Sequence, residues 1–396
     1  MSQVHGEDYD FNQLFGGSIM SPVPPPYGVF ARLRAERPAL RMKGWMEDSH
    51  LVTRYDDVVQ SLKDHETFSA RGNGRGIGIV LGRTILEMEG LEHRRHRRIV
   101  MPFFSPRGLR GDVQAFAEST THELIDRFAA DGRADLVSQF AFTYPIRIIA
   151  KMIGVPIADF EEFHHWAIDL ISVAVDPVKG FAAAKSIVDY LRPILAARRD
   201  DPRDDLLTVL LNAEVDGEKL DEEEVLRFLR LLLPAGAETT YRLAGTALFA
   251  LLTHPDARAE VAADRSLLPA FIEETLRWDS PVQVISREVT RDVEFHGYRI
   301  PKGDLANFSI GSANRDPSHF EDPDRFDLHR ANKGDHVSFG LGEHFCVGAH
   351  LARTETRVAL DALLDRLPNL RLDPAQACGV VGFAFRSPDR LPVLFG

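Results

Sequence analysis

One cysteine held in a glycine-rich turn constrains this chain more than any other feature. The stretch Phe339-Gly340-Leu341-Gly342-Glu343-His344-Phe345-Cys346-Val347-Gly348 runs into a segment where Leu360, Leu363, Leu364 and Leu367 recur at i, i+3, i+4, i+7. That spacing is the buried stripe of a helix. A sulfur at a helix N-terminus meets the positive end of the dipole and free backbone N–H groups, and both favour thiolate over thiol. Gly340, Gly342 and Gly348 are expected to take positive φ and to let a flat ligand lie close. A thiolate placed this way can serve as a nucleophile, a zinc ligand or the axial ligand of a haem. A nucleophile needs a base, for which His344 or His350 is available. Zinc prefers four nitrogen or sulfur ligands, and the chain has no CxxC. A haem asks for one strong axial ligand and a flat approach, which this turn offers. The plainest alternative is a structural cysteine.

A length of 396 residues allows two or three domains. Nothing in the sequence cuts the chain, so one domain over residues 1–396 is expected, with 1–26 as an extended lead-in. The hydrophobic fraction of 44% suffices for a core able to enclose a cofactor. Only two cysteines occur, Cys346 and Cys378, so no disulfide framework is implied and a reducing, cytoplasmic setting is expected. Met1 to Phe15 is polar and acidic, without the apolar core of a signal peptide. No apolar run approaches the ~18 residues of a membrane span. A net charge of −12 argues against nucleic acid as a general partner.

The periodicity is mostly helical. Pro22 and Pro24 to Pro26 make a stiff, extended entry, and Val29, Phe30 and Leu33 then mark a short amphipathic helix. Leu51-Val52-Thr53 reads as a strand, followed by a helix with the acidic start Asp56-Asp57. Helical patterns dominate from Asp112 to Leu276, and Asp221 to Glu224 reads as a solvated helix start. Strand signals return with Val293, Phe295, Tyr298 and Ile300, ahead of a turn at Pro301-Lys302-Gly303. The expected class is mainly α with a small β portion.

Four other segments carry chemistry or imitate it. Leu231 to Thr240 reads Leu-Leu-Leu-Pro-Ala-Gly-Ala-Glu-Thr-Thr inside an apolar helix. Pro234 removes a donor, Gly236 has no side chain, and a threonine hydroxyl can bond back one turn, so a locally opened helix is expected. A break between two core helices is the bland version. Glu274-Thr275-Leu276-Arg277 places opposite charges three apart on a helix, a pattern common on ordinary surfaces. His93-Arg94-Arg95-His96-Arg97-Arg98 packs four arginines into six residues of an acidic protein, which is otherwise a solvated basic face. Arg71 to Gly82 holds five glycines but matches neither GxGxxG nor the phosphate-loop spacing.

The cysteine stretch resembles, position for position, the cysteine loop of the cytochrome P-450 superfamily, and the resemblance extends from about Tyr27 to the C-terminus. It implies that family's triangular helical fold, in the type that lacks a membrane anchor. It also implies haem b (iron protoporphyrin IX) with Cys346 as thiolate ligand. Ala235-Gly236-Ala237-Glu238-Thr239 resembles the oxygen-binding groove, in which Glu238 and Thr239 would deliver protons to dioxygen; Pro234 is unusual there. Glu274 and Arg277 match the ExxR pair, which joins a further arginine, either Arg325 or Arg330. His93 and Arg97 match the HxxxR that grips a haem propionate, with Arg287 and His344 as further contacts. The preceding Glu89-Gly90-Leu91-Glu92 departs from the family's usual Asp-Pro-Pro. Arg71 to Gly82 falls where the family has a mobile loop over the haem, so Ile77, Ile79, Val80 and Leu81 would touch substrate. Ala235, Val282, Ile285 and Phe385 complete an apolar pocket, although each also suits an ordinary core position.

The function so implied is a haem-thiolate monooxygenase that hydroxylates or epoxidises a small hydrophobic compound. The thiolate pushes electron density to the iron and favours O–O cleavage. Electrons would come from a separate ferredoxin or reductase, since no reductase segment follows Gly396, and Arg94, Arg95 and Arg98 would form the docking face. A peroxide-driven peroxygenase is the first rival, disfavoured by the Glu238-Thr239 pair. A non-enzymatic haem sensor is the second, and a zinc protein on His344, Cys346 and His350 the third.

Overall fold

A computed structural model describes residues 9–17, 23–43, 49–156, 160–174 and 176–396. Pro22 and the acidic residues before Tyr9 lie outside the described residues. The chain divides into two compact units. One comprises Met1–Asn73, Ala270–Cys346 and Val380–Ser387, and the other comprises Gly74–Pro269, Val347–Gly379 and Pro388–Gly396.

The first unit is built on a six-stranded sheet. Its order is Tyr9–Asp10, Ala39–Lys43, Ser49–Val52, Leu305–Ser309, Val284–Val289, Phe68–Ser69. Val284–Val289 and Leu305–Ser309 pair antiparallel, with Ile285 opposite Phe308 and Arg287 opposite Ala306. One cluster packs Val52, Val58, Phe68, Phe308 and Phe320 beneath the helix Tyr55–Lys63. The helix Tyr27–Glu36 is fastened by a charged clasp. The Tyr27 hydroxyl donates to Asp279 at 2.7 Å, and the buried Arg386 guanidinium grips the same carboxylate at 2.8 and 3.1 Å.

Part of the expected extended lead-in is folded. Phe11–Phe15 is a helical turn, capped by Asp10, whose carboxylate accepts from Gln13 N–H at 3.0 Å, and ended by Gly16 at φ +76. Burial explains it: Phe11 meets Phe383 edge-on and Phe15 packs tilted against it, with centroids 4.6 and 4.4 Å away. Among the described lead-in residues, Val23 to Pro26 keeps an irregular path. The expected strands Val293–Phe295 and Tyr298–Ile300 pair as a hairpin through His296 (φ +52) and Gly297 (φ +82), and the turn expected at Pro301-Lys302-Gly303 follows, with Gly303 at φ +91.

The second unit is a helical assembly around Glu222–Thr253, a 32-residue helix. Asp221 caps it through a reciprocal pair with Glu224, which accounts for the acidic cluster. Tyr144–Ile153, Phe160–Ile171 and Ala349–Arg366 pack against this helix. The expected opening at Pro234 is absent, because the helix runs through the proline without interruption. Proline removes a single donor, while Leu232, Leu233, Pro234 and Ala237 are buried and hold the turn together. Among the described residues no helix is long and apolar enough to cross a membrane.

Candidate active site

The cysteine loop hangs from the sheet unit by its backbone. Gly340 and Gly342 take φ +67 and +72, so glycine is needed at both. A side chain on Gly342 would also put its Cβ 2.8 Å from the Leu62 carbonyl. Gly348 differs from expectation. Its φ is −83, an ordinary value, because it is the N-cap of the helix Ala349–Arg366 and no longer part of the turn. Cys346 N–H donates to the Phe339 carbonyl at 2.9 Å, which leaves the side chain exposed at the end of the loop.

Hydrogen bonds tie the start of this loop to the helix Leu268–Trp278. Ser338 Oγ donates to the Leu276 carbonyl at 2.7 Å, and Asn314 bonds Ser338 Oγ and Val337 N–H at 2.8 Å each. His336 Nε2 meets Glu273 at 3.1 Å while its Nδ1 accepts from Ser338 N–H at 3.2 Å. Those two bonds fix the tautomer with the proton on Nε2.

The same helix carries the ExxR pair, wholly buried. Arg277 donates Nε and Nη2 to the two oxygens of Glu274, both at 2.8 Å, and Nη1 to the Pro323 and Asn314 carbonyls. Arg330 Nε adds a second cation, 3.3 Å from Glu274 Oε1. Arg325 is the correction. Its guanidinium is 65% exposed and pairs with Asp327, and it offers the network only its backbone carbonyl, which accepts from Arg277 and Arg330 at 3.1 Å. Loop geometry decides this: Arg330 turns inward to bond the carbonyls of Glu321 and Asp322 as well. Burial works against the Arg277 charge and Glu274 supports it.

Arg287 lies in the same unit, 7% exposed on its strand, and donates to the Ser286 carbonyl. His344 ends the short turn Gly342–His344. Val282 and Phe385 meet as an antiparallel bridge, and Ile285 lies beside Gly340.

In the helical unit, Thr239 Oγ1 donates to the Ala235 carbonyl at 2.7 Å, the back-bond that its position suggests. Glu238 is 1% exposed, and its Oε2 accepts from Arg242 at 3.1 Å. No hydrogen bond joins Glu238 to Thr239 among the described residues. Gly236 fits tightly, since a Cβ there would lie 2.8 Å from Ile149. His93 is buried and Arg97 half-buried on the helix Gly90–Phe104, while Arg94, Arg95 and Arg98 are exposed and Arg95 pairs with Asp216. The glycine-rich stretch is ordered as short helical turns, Ala70–Arg75 and Gly78–Leu81. Val80 and Leu81 are buried, Ile77 half-buried and Ile79 exposed.

Sequence reasoning passed over Glu355 and His164. Glu355 interrupts the apolar stripe of Ala349–Arg366, four residues after Leu351 and four before Ala359. It is 1% exposed, and neither carboxylate oxygen makes a hydrogen bond. Burial pushes its carboxyl well above the ordinary range. The folded group therefore keeps its proton where the unfolded one has lost it. Stability falls as pH rises from the ordinary glutamate value toward the raised one, by at most ~1.4 kcal/mol per pH unit. Glu355→Gln should remove that slope. Urea midpoints at pH 5 and pH 8 should converge in the variant, and an unchanged difference between them would refute a neutral Glu355.

A haem suits this donor set. The cysteine loop presents one thiol, and among the described residues no three His, Cys, Asp or Glu side chains form a metal-binding group. A single sulfur suits a metal whose other ligands come from a macrocycle, and it does not suit a zinc site.

Comparison with known proteins agrees. The family model for Cytochrome P450 matches residues 176–371. The chain is 38% identical over 384 residues to Cytochrome P450 107B1 of Saccharopolyspora erythraea, covering 92% of this chain and 93% of that protein. It is 34% identical to Mycinamicin IV hydroxylase/epoxidase of Micromonospora griseorubida, over 100% of both. Among solved structures, myxobacterial cytochrome P450 CYP267B1 in complex with myristic acid matches with a TM-score of 0.88 and 33% identity, covering 98% of this chain and 99% of that one.

Proposed function

Because this chain belongs to the cytochrome P450 family and is a haem-thiolate monooxygenase, we propose that Cys346 is its axial ligand and Glu238 and Thr239 its proton-delivering pair. The observation that carries this reading is the exposed Cys346 thiol on a loop fastened by its own N–H to Phe339 and shaped by two positive-φ glycines. The haem supplies an iron at which dioxygen is reduced and one oxygen atom is passed to the substrate. Residues 1–396 serve as one haem domain, a reading supported by relatives that match the whole chain. His93, Arg97, Arg287 and His344 are the groups that would hold the propionates, each a cation or a potential one. The Thr239 hydroxyl, donating to Ala235, keeps its oxygen lone pairs open to accept a proton or a water. Glu238 is the acid one residue away.

The substrate is a small hydrophobic compound, in keeping with the apolar side chains of Val80, Leu81, Ala235, Val282, Ile285 and Phe385. The mycinamicin IV named for one relative and the myristic acid bound by another belong to that broad class. A ferredoxin-like donor docks at Arg94, Arg95 and Arg98, where exposed cations on an acidic protein would steer an acidic partner. A cytoplasmic setting fits the two free cysteines.

With a ferredoxin-based electron supply, Thr239→Ala should retain haem and substrate binding while diverting electrons to hydrogen peroxide. Product per electron should fall about tenfold or more, within the range of lost general-acid catalysis. Unchanged coupling would remove Thr239 from proton delivery. Turnover with added peroxide far above that with ferredoxin would turn the assignment to a peroxygenase.

A further inference from the structure

The two oxygens of Glu238 are held differently, and proton delivery alone does not account for the difference. Oε2 accepts from Arg242, one helical turn onward. Oε1 lies 3.2 Å from His164 Nε2 but without hydrogen-bond alignment, and it takes no other donor. His164 sits on the helix Phe160–Ile171 and is 1% exposed. Neither of its ring nitrogens makes a hydrogen bond. Phe142 stacks on the imidazole with centroids 3.3 Å apart, and Tyr241 lies 5.6 Å away.

A buried acceptor without a donor and a buried ring with two unsatisfied nitrogens are each costly. Here the two lie side by side. The ring torsion of histidine is broad, so a small rotation brings Nε2–H onto Oε1 and satisfies that nitrogen and that oxygen together. The His164 ring nitrogen at 3.2 Å is the donor from another helix that lies beside Oε1.

We propose that His164 is a positioning residue for Glu238. With Arg242 it forms a clamp, one donor for each oxygen, that holds the carboxylate away from the Thr239 hydroxyl until one donor lets go. Arg242 shares a helix with Glu238 and moves with it. His164 is on a different helix, so its contact is the one that separates a held acid from a released one. The inference rests on the reading of Glu238 as the proton-delivering acid.

Two measurements test it. The first does not depend on turnover. In the haem-loaded enzyme, reduced and bound with carbon monoxide, 15N-histidine NMR should find an exchange-protected His164 Nε2–H. Glu238→Gln should speed its exchange about tenfold or more, and equal exchange in both proteins would overturn the clamp. The second is peroxide released per electron. His164→Gln can still place a donor where Nε2 lies, whereas His164→Leu cannot. The leucine variant should release several-fold more peroxide, and the glutamine variant should restore most of the coupling. Equal coupling in both would reduce His164 to a space-filling role and overturn the proposal. If the leucine side chain prevents folding, His164→Asn replaces it, since that shorter amide does not reach Oε1. Failure of Glu238→Gln to raise peroxide would remove Glu238 from proton delivery, and the NMR result would then judge the clamp alone.

Discussion

Cys346→Ser should abolish the Soret band that thiolate ligation gives the reduced carbon monoxide complex, and product formation should fall below detection. Serine is close to cysteine in size, and the residue's backbone N–H remains bonded to Phe339, so the haem-free loop keeps its shape. Chemistry is another matter. A serine hydroxyl does not replace a thiolate as a strong electron donor to the iron, so that push is lost. Thermal unfolding of the haem-free variant should therefore match that of the haem-free parent, while the reduced carbon monoxide spectra of the haem-loaded proteins differ. A serine variant that kept the thiolate band would transfer ligation elsewhere, with Cys378, the one other cysteine, as the first place to look. Cys378→Ser should leave the band unchanged. Burial pushes the Cys378 thiol up, away from thiolate.

The features read correctly from sequence are those in which a local rule and the tertiary structure demand the same thing. Gly340 and Gly342 were legible because a positive φ admits few other residues, and the long helix because its apolar run outlasts any strand. Thr239 was legible because a back-bond reaches only one turn. The misreadings have one cause: position in three dimensions overruled a local cue. Gly348 resembles the other loop glycines in sequence but caps a helix. Pro234 is a helix breaker in isolation, yet the burial of its neighbours carries the helix through. The turn Phe11–Phe15 had its signals, Asp10 before it and Gly16 after it, but five residues are too few to show a period. His164 had no signal, since a histidine on an amphipathic helix acquires meaning only when a partner such as Glu238 arrives from elsewhere in the chain.

The choice between Arg325 and Arg330 shows how a large energetic difference can hide behind two identical letters. Both arginines follow the ExxR helix in a loop without periodicity, so spacing cannot separate them. Their surroundings can. Glu274 is fully buried and holds the bidentate Arg277, Arg330 and the Asp327 N–H. Removing Arg330 takes a cation from Glu274 and a donor from three carbonyls in a place that water does not reach, and breaking a buried network of this kind costs ~3–5 kcal/mol. Arg330→Ala also strips donors from the Glu321 and Asp322 carbonyls, and so unfastens the loop. Arg325→Ala removes an exposed guanidinium from one solvated partner, while its backbone carbonyl stays in place; the expected cost is ~0–1 kcal/mol. The comparison therefore predicts a wide gap in denaturant midpoint between two alanine variants five residues apart. Arg330→Ala should also lose haem on gel filtration, because the helix bearing Glu274 anchors the cysteine loop through Ser338 and Leu276. Arg330→Lys should not rescue it, since a single ammonium cannot replace the four bonds that the guanidinium spreads over Glu274 and three carbonyls. Equal midpoints for the two alanine variants would mean that Glu274 draws its second cation from somewhere other than Arg330.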